Sequence, residues 1–218
     1  MTKDTLVAEL QQNNYAAIVS AAAKSKRVLS LLLSLTFDAD DLMGWRAVKA
    51  LGLCSAQIAE TDAEFVRNIL RRLMWSLNDE SGSIGWRAPQ AMGAIIAQRP
   101  RQFAEFIPVV VSLFELDETH FYPGVLWAIG HIAQRDADSR FAAQVLPHVS
   151  DASAQARGMA ARCLGQLRAT ESIPLLKPLL ADEAPLTVFI HDQLHECTVS
   201  NLAQEALAQL ERCRDEAH

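Results

Sequence analysis

Aromatic side chains are scarce, at 6% of the chain, so no thick, ring-filled sheet core can be assembled from it. No two of the four cysteines, Cys54, Cys163, Cys197 and Cys213, stand at CxxC spacing, which leaves neither a disulfide framework nor a zinc ribbon. Two of them lie inside apolar helical segments, where cysteine acts as a small buried hydrophobe. No apolar run is long enough to span a bilayer: the longest, near Val28 to Phe37, is interrupted by serines. It follows a polar N-terminus with no cleavable signal pattern, which predicts a cytoplasmic protein with no membrane partner. Positive charge is also lacking. Twenty basic against twenty-six acidic residues give a net charge of −6, which opposes general attraction to a phosphate backbone and argues against nucleic acid as partner.

What the chain does have is repetition. Gly44-Trp45-Arg46-Ala47-Val48-Lys49-Ala50-Leu51-Gly52 returns as Gly85-Trp86-Arg87-Ala88-Pro89-Gln90-Ala91-Met92-Gly93. Looser copies end at Gly130 and Gly165, and a degenerate one runs from Leu202 to Ala208. The glycines 52, 93, 130 and 165 are 41, 37 and 35 residues apart, the period of stacked two-helix units. Ala63-Glu64-Phe65 also recurs as Ala104-Glu105-Phe106, so a whole helix pair is duplicated. With half the residues hydrophobic and Ala and Leu dominant, the fold class is all-α, one continuous domain over 1–218.

Within it, 1–37 is expected to form capping helices, broken at Asn13 and Asn14, and 38–180 the repeats. First helices are expected over Asp62–Leu77, Phe103–Glu115, Arg140–Val149 and Ser172–Leu180, with Pro108 and Pro147 kinking theirs or marking a later start. Residues 181–201 form an insertion, and 202–213 the final helix. In the insertion the apolar period changes from helical to alternating on either side of Asp192-Gln193, which predicts a small β-hairpin turning at those two residues.

Asp151 with Arg157 six residues on, then Ala160-Ala161, Leu164-Gly165, Ile173-Pro174-Leu175-Leu176 and Leu179-Leu180, resembles the HEAT-like repeat of the phycobilisome-lyase class. The likeness is tight over that repeat and loose over 40–180. It implies a right-handed α-α superhelix, a HEAT-like solenoid whose motif helices line the concave side. It further implies a ladder of aspartates and arginines between repeats, with Asp151 and Arg157 in those slots.

Trp45, Arg46, Trp86 and Arg87 are the candidate partner-binding residues. Each pair follows a glycine expected at a helix entrance, Gly44 or Gly85, and Trp and Arg are favoured at binding hot spots. The structural alternative has each tryptophan plugging a seam between repeats and each arginine pairing with a loop acid such as Asp40 or Asp79. His191, His195, Glu196 and Cys197 are the densest set of metal-ligating types, but Asp192 stands where a zinc protease needs glutamate, so a solvated loop without metal is expected. No catalytic residue and no cofactor is predicted. Arg46, Arg71, Arg72, Arg87, Arg99 and Arg101 are the one positive concentration, while Tyr122, Trp127 and His131 are expected to be packing residues.

The functional expectation is therefore a non-catalytic scaffold that binds a peptide or protein on the concave face. The resemblance also implies two alternatives: an enzyme or accessory subunit of the bilin-lyase type, and a DNA-binding protein like the alkylation-repair glycosylases. An exposed hairpin edge could recruit a second strand and so a second copy of the chain.

Overall fold

Polar caps set where the N-terminal helices begin. The computed structural model describes residues 1–77, 87–116, 118–136 and 139–216. Along the first half run α1 (Lys3–Gln11), α2 (Tyr15–Lys24), α3 (Arg27–Leu35), α4 (Asp41–Ala59), α5 (Ala63–Ser76) and α6 (Ala88–Gln98). Thr2, Asn14, Asp40 and Asp62 each accept a bond from the amide three residues on, answering a donor that a first turn leaves unpaired. The expected break between α1 and α2 is made by Asn13, left-handed at φ 56°, followed by Asn14 as cap.

One expected boundary moves. Gly44 is not a helix entrance, because Asp40 starts α4 at Asp41 and carries Gly44, Trp45 and Arg46 inside the helix. Gly85, the matching residue, lies outside the described residues.

Downstream follow α7 (Ile107–Ser112), α8 (Tyr122–Ala133), α9 (Ala142–Val145), α10 (Ala154–Gln166), α11 (Ile173–Leu176), the strands β1 (Pro185–Ile190) and β2 (Gln193–Thr198), and α12 (Val199–Glu216). The short helices α7, α9 and α11 are each flanked by 3₁₀ turns. Proline explains this: Pro108 and Pro174 are second residues of α7 and α11, where no donor is missed, while Pro147 and Pro178 fall within the 3₁₀ turns. Pro108 thus marks the later start.

The hairpin forms, with its turn one residue earlier than expected. His191 and Asp192, at φ 50° and 65°, are the two loop residues, and both left-handed dihedrals are those of a type I′ turn. Histidine and aspartate tolerate that region better than most side chains.

Two compact units divide the chain. The first comprises Met1–Ile107 with His191–Gln193, the second Pro108–Ile190 with Leu194–His218. In the first unit α4 packs on α2, α3, α5 and α6, burying Leu29, Leu32, Leu51, Leu70, Met92 and Ile95 completely. A methyl at Gly52 would stand 2.6 Å from the Ala94 carbonyl oxygen, so glycine there brings α4 and α6 to backbone contact. In the second unit α8 packs on α10 and α10 on α12, with Gly130 against the Cys163 backbone and Gly165 against that of Ala206. Successive motif helices therefore pack against one another within each unit, as the repeat predicts.

Candidate functional site

Arg46 and Arg87 occupy the same motif position and do the same job inside the first unit. Arg46 is 8% exposed, and its Nη1 donates to the Gln11 carbonyl, the last of α1, at 3.2 Å. Its Nε and Nη2 donate to the Asp192 carbonyl at 3.3 and 3.2 Å. Arg87 is 9% exposed, and its Nη1 donates to Thr36 O at 2.9 Å, just beyond α3, and to Asp38 O at 3.1 Å. Its Nη2 pairs with the Asp41 carboxylate. Helix C-termini leave carbonyls without partners and carry partial negative charge, so a buried guanidinium there meets both needs.

Gly44 belongs to this arrangement. A Cβ at that position would fall 2.6 Å from the Arg87 guanidinium carbon, so the glycine makes room for the arginine of the next repeat. Trp45 is half-buried on α4, and Trp86 lies outside the described residues. Both expected arginine anchors thus hold the chain's own carbonyls, and Arg87 pairs with Asp41, the first residue of α4, while Asp40 caps that helix and Asp79 lies outside the described residues.

The hairpin turn supplies a carboxylate that sequence reasoning did not connect to these helices. Asp192 accepts from Lys49 Nζ at 2.6 and 2.8 Å and from the Tyr15 hydroxyl at 2.8 Å. Lys49 also lies 4.5 Å over the Tyr15 ring. Burial first, then the bond to Asp192, pushes the Tyr15 phenol well above its ordinary range. His191 and His195 are exposed, and among the described residues no three His, Cys, Asp or Glu side chains converge on a point.

In the second unit, Arg157 reaches the backbone of Asp151, not its carboxylate, and takes its acid from Asp182. Its Nη1 donates to the backbone carbonyls of Asp151 and Ala152 at 2.9 and 3.0 Å, while Nε pairs with the Asp182 carboxylate at 2.7 Å. That bond holds the Asp182 carboxyl below the usual range. The Asp151 carboxylate faces elsewhere, accepting from Ser153 N at 2.8 Å with His148 Nδ1 3.6 Å away. His148 stacks on Phe114 at 4.3 Å and meets the Tyr122 ring edge-on at 4.7 Å, so Tyr122 is a packing residue as expected.

One turn on from the motif arginines the same helices carry a second recurring position. Three residues ahead of the motif glycines stand Lys49 and Gln90 in the first unit, and Trp127 and Arg162 in the second. Trp127 stacks on His131, one turn further along α8, with ring centres 4.5 Å apart and planes 17° from parallel. Burial, then the charges of Arg135 and Arg162, press the His131 pKa down to about 4, which keeps the imidazole neutral. Arg162 is half-buried on α10, and its Nη1 is shielded from water with no hydrogen-bond partner, a condition shared by Gln90 Oε1 and Ser55 Oγ. Burial pulls the Arg162 pKa down, while Glu205 on α12 and Cys197 on β2 act against this from a distance.

Two further arginines of the positive concentration, Arg71 and Arg99, are held by acids. Arg71 pairs with Glu64 at 2.7 Å and Arg99 with Glu60 at 2.8 Å, both inside the first unit. No helix of the described residues is long and apolar enough to cross a membrane.

No family model matches the chain, and no curated protein matches it significantly. Among solved structures, an engineered protein is similar over 97% of this chain and 98% of its own, at 16% identity and a TM-score of 0.52. The archaeal HEAT-like repeats protein from Thermococcus onnurineus NA1 is similar over 96% of this chain and 80% of its own, at 18% identity and a TM-score of 0.45. The first likeness spans nearly all of both chains and concerns the fold alone.

Proposed function

We propose that this chain is a non-catalytic scaffold of the HEAT-like kind, holding a peptide or protein segment against its motif helices. The supporting observation is the polar register of those helices. Packing alone would favour alanine or leucine at a position that instead holds Lys49, Gln90, Trp127 and Arg162. Two of these keep water-shielded atoms without partners. Each such atom costs about 1–3 kcal/mol, a penalty that packing alone gives no reason to keep.

In this proposal the tryptophans of the two Trp-Arg pairs remain candidate contacts, Trp45 beside the interaction it already makes within the chain and Trp86 from outside the described residues. Arg46 and Arg87 serve by fixing the helices that carry the register. The setting is cytoplasmic, the partner a protein, and a second copy of the chain could add at the hairpin edge.

The test is cross-linking of the tagged full chain in its own cells, followed by calorimetry of the chain with the purified partner. A saturable complex in which the partner is recovered chemically unchanged supports the scaffold. The rival reading follows the phycobilisome-lyase-type repeat to an enzyme on open-chain tetrapyrroles. A visible chromophore on the purified chain, or covalent change of the partner, would replace the scaffold with that reading.

A further inference from the structure

We propose that a second copy of this chain adds at the outer edge of β2, its own β2 running antiparallel to the first about a two-fold axis at His195. The hairpin alone carries this pairing, independent of what the motif helices hold.

Parity along the hairpin decides which backbone groups are open. The two-residue turn at His191 and Asp192 makes Ile190 and Gln193 exchange both backbone bonds, and in an antiparallel ladder that exchange recurs at every second residue. Val188 with His195 and Leu186 with Cys197 are therefore bonded inward. Val199 N, donating to Ala184 O at 3.1 Å, continues the same series. The residues between them turn their amides and carbonyls outward.

On β1 the outward side is engaged. Pro185 has no N–H, and α10 packs along this strand. Gln155, in the first turn of α10, takes the place of a neighbouring strand: it donates to Thr187 O at 2.7 Å and accepts from Thr187 N at 3.1 Å. Phe189 has an interaction of its own within the chain. On β2 the outward series is Leu194, Glu196 and Thr198. Asn201 closes the last of these, accepting from Thr198 N at 3.0 Å. Among the described residues, the outward amides and carbonyls of Leu194 and Glu196 have no such partner, and His195 and Glu196 are exposed.

The symmetry of this window selects the occupant. One open residue stands on each side of His195, so a second β2 centred there pairs Leu194 with Glu196 of the second copy and Glu196 with its Leu194. No open group is left on either strand. Sliding two residues one way sets Glu196 opposite Glu196, a like-charge pair, and Leu194 opposite Thr198, whose amide Asn201 already holds. Sliding the other way sets Glu196 opposite Asp192, a second acid already bonded to Lys49 and Tyr15. The centred register alone satisfies every group without opposing acids.

The test is sedimentation equilibrium of the full chain up to about 1 mM. A monomer–dimer equilibrium is expected, with a dissociation constant between about 10 µM and 1 mM, the weak range that suits so small a contact. Amide hydrogen exchange at Leu194 and Glu196 should slow as concentration rises, while Gln193, His195 and Cys197 keep one rate. Glu196→Pro removes an outward amide and no bond of the hairpin, so the dimer should weaken at least about tenfold with the monomer's unfolding midpoint little changed. Leu194→Glu sets acid against acid and should weaken it likewise. Adding Glu196→Lys to that variant should restore the dimer, which a damaged hairpin would not do.

A chain that stays monomeric at that concentration overturns the proposal, even where the blocked strand peptide N-acetyl-(Thr-Val)3-amide binds the same edge. So does a dimer indifferent to Leu194→Glu, or one that slows exchange elsewhere and leaves Leu194 and Glu196 unchanged. Neither result touches the scaffold reading, which falls only if the chain holds no other protein.

Discussion

Replacing Asp192 with asparagine removes one negative charge from the hairpin turn and little else. Asparagine is at least as comfortable as aspartate in the left-handed region, so the backbone at φ 65° is retained. What is lost is an acceptor of two charged bonds from Lys49, at 2.6 and 2.8 Å, and one from Tyr15 at 2.8 Å. A charged hydrogen bond contributes about 1.5–3 kcal/mol when shielded. The Lys49 side chain is 40% exposed, however, so water competes, and its share falls to about 1 kcal/mol or less. The Tyr15 bond survives to the amide oxygen in weaker form. The expected loss is about 1–2 kcal/mol in urea unfolding of the full chain. A cycle with Lys49→Met should give a coupling of about 0.5–1 kcal/mol. Additive single and double variants would refute the assignment of Asp192 to Lys49.

The same substitution has a signature in alkali. The Tyr15 phenol is raised above its ordinary 10.0 by burial and by Asp192, so its contribution to stability is complete below pH 10. Above that the unfolded chain releases the proton while the folded chain keeps it, and stability falls as pH climbs toward the folded value. Asp192→Asn brings the folded value down and should shorten this fall. Phenolate absorbance reports the shift directly, and an unmoved Tyr15 titration would contradict the bond.

Three further outcomes are expected. Gly52→Ala should destabilise by about 1–3 kcal/mol although alanine is the better helix former, because its Cβ meets a backbone carbonyl that cannot turn aside; a stabilised variant would mean α4 and α6 do not touch there. In an NMR titration His131 should stay neutral through physiological pH and protonate only near 4, so its contribution to stability is present above 6.5 and is lost as pH falls toward 4; a midpoint near 6.5 would show the Trp127 stack to be solvated. Arg157→Lys keeps the charge but loses the fork to Asp151 O, Ala152 O and Asp182, and should cost about 1–3 kcal/mol by denaturation; an unchanged midpoint would remove Arg157 from the structural set.

The helix pairs were legible because apolar period and a duplicated register point to the same elements. The hairpin was legible from its alternation, but alternation does not say which two residues turn. Moving the loop from Asp192-Gln193 to His191-Asp192 preserves the pattern on one side, and neither pair holds the glycine that would decide it. The true start of α4 did have a signal: Asp40 is a preferred cap with a helical run behind it, and Gly44 drew the boundary away. A structural role for Arg46 and Arg87 was legible as the alternative to binding, but their acceptors were not, because most are backbone carbonyls, which carry no residue identity. Arg162 was hidden for the opposite reason. Its distinguishing property is a partner it does not have, and only its shared register with Lys49, Gln90 and Trp127 could have drawn attention to it.

That register separates two kinds of arginine in one fold. Arg46, Arg87 and Arg157 have their acceptors, and a partner could engage them only by breaking bonds that tie one segment to the next. Helix propensity does not explain the presence of Arg162, since leucine would serve α10 equally well within a few tenths of a kcal/mol, and leucine would add apolar area where Nη1 now sits unpaired. In the first unit the equivalent polarity of Lys49 is balanced by Asp192 of the hairpin turn. In the second, Arg162 is opposed only through space, by Glu205 on α12, so overall stability follows the other three arginines, whose bonds tie one segment to the next.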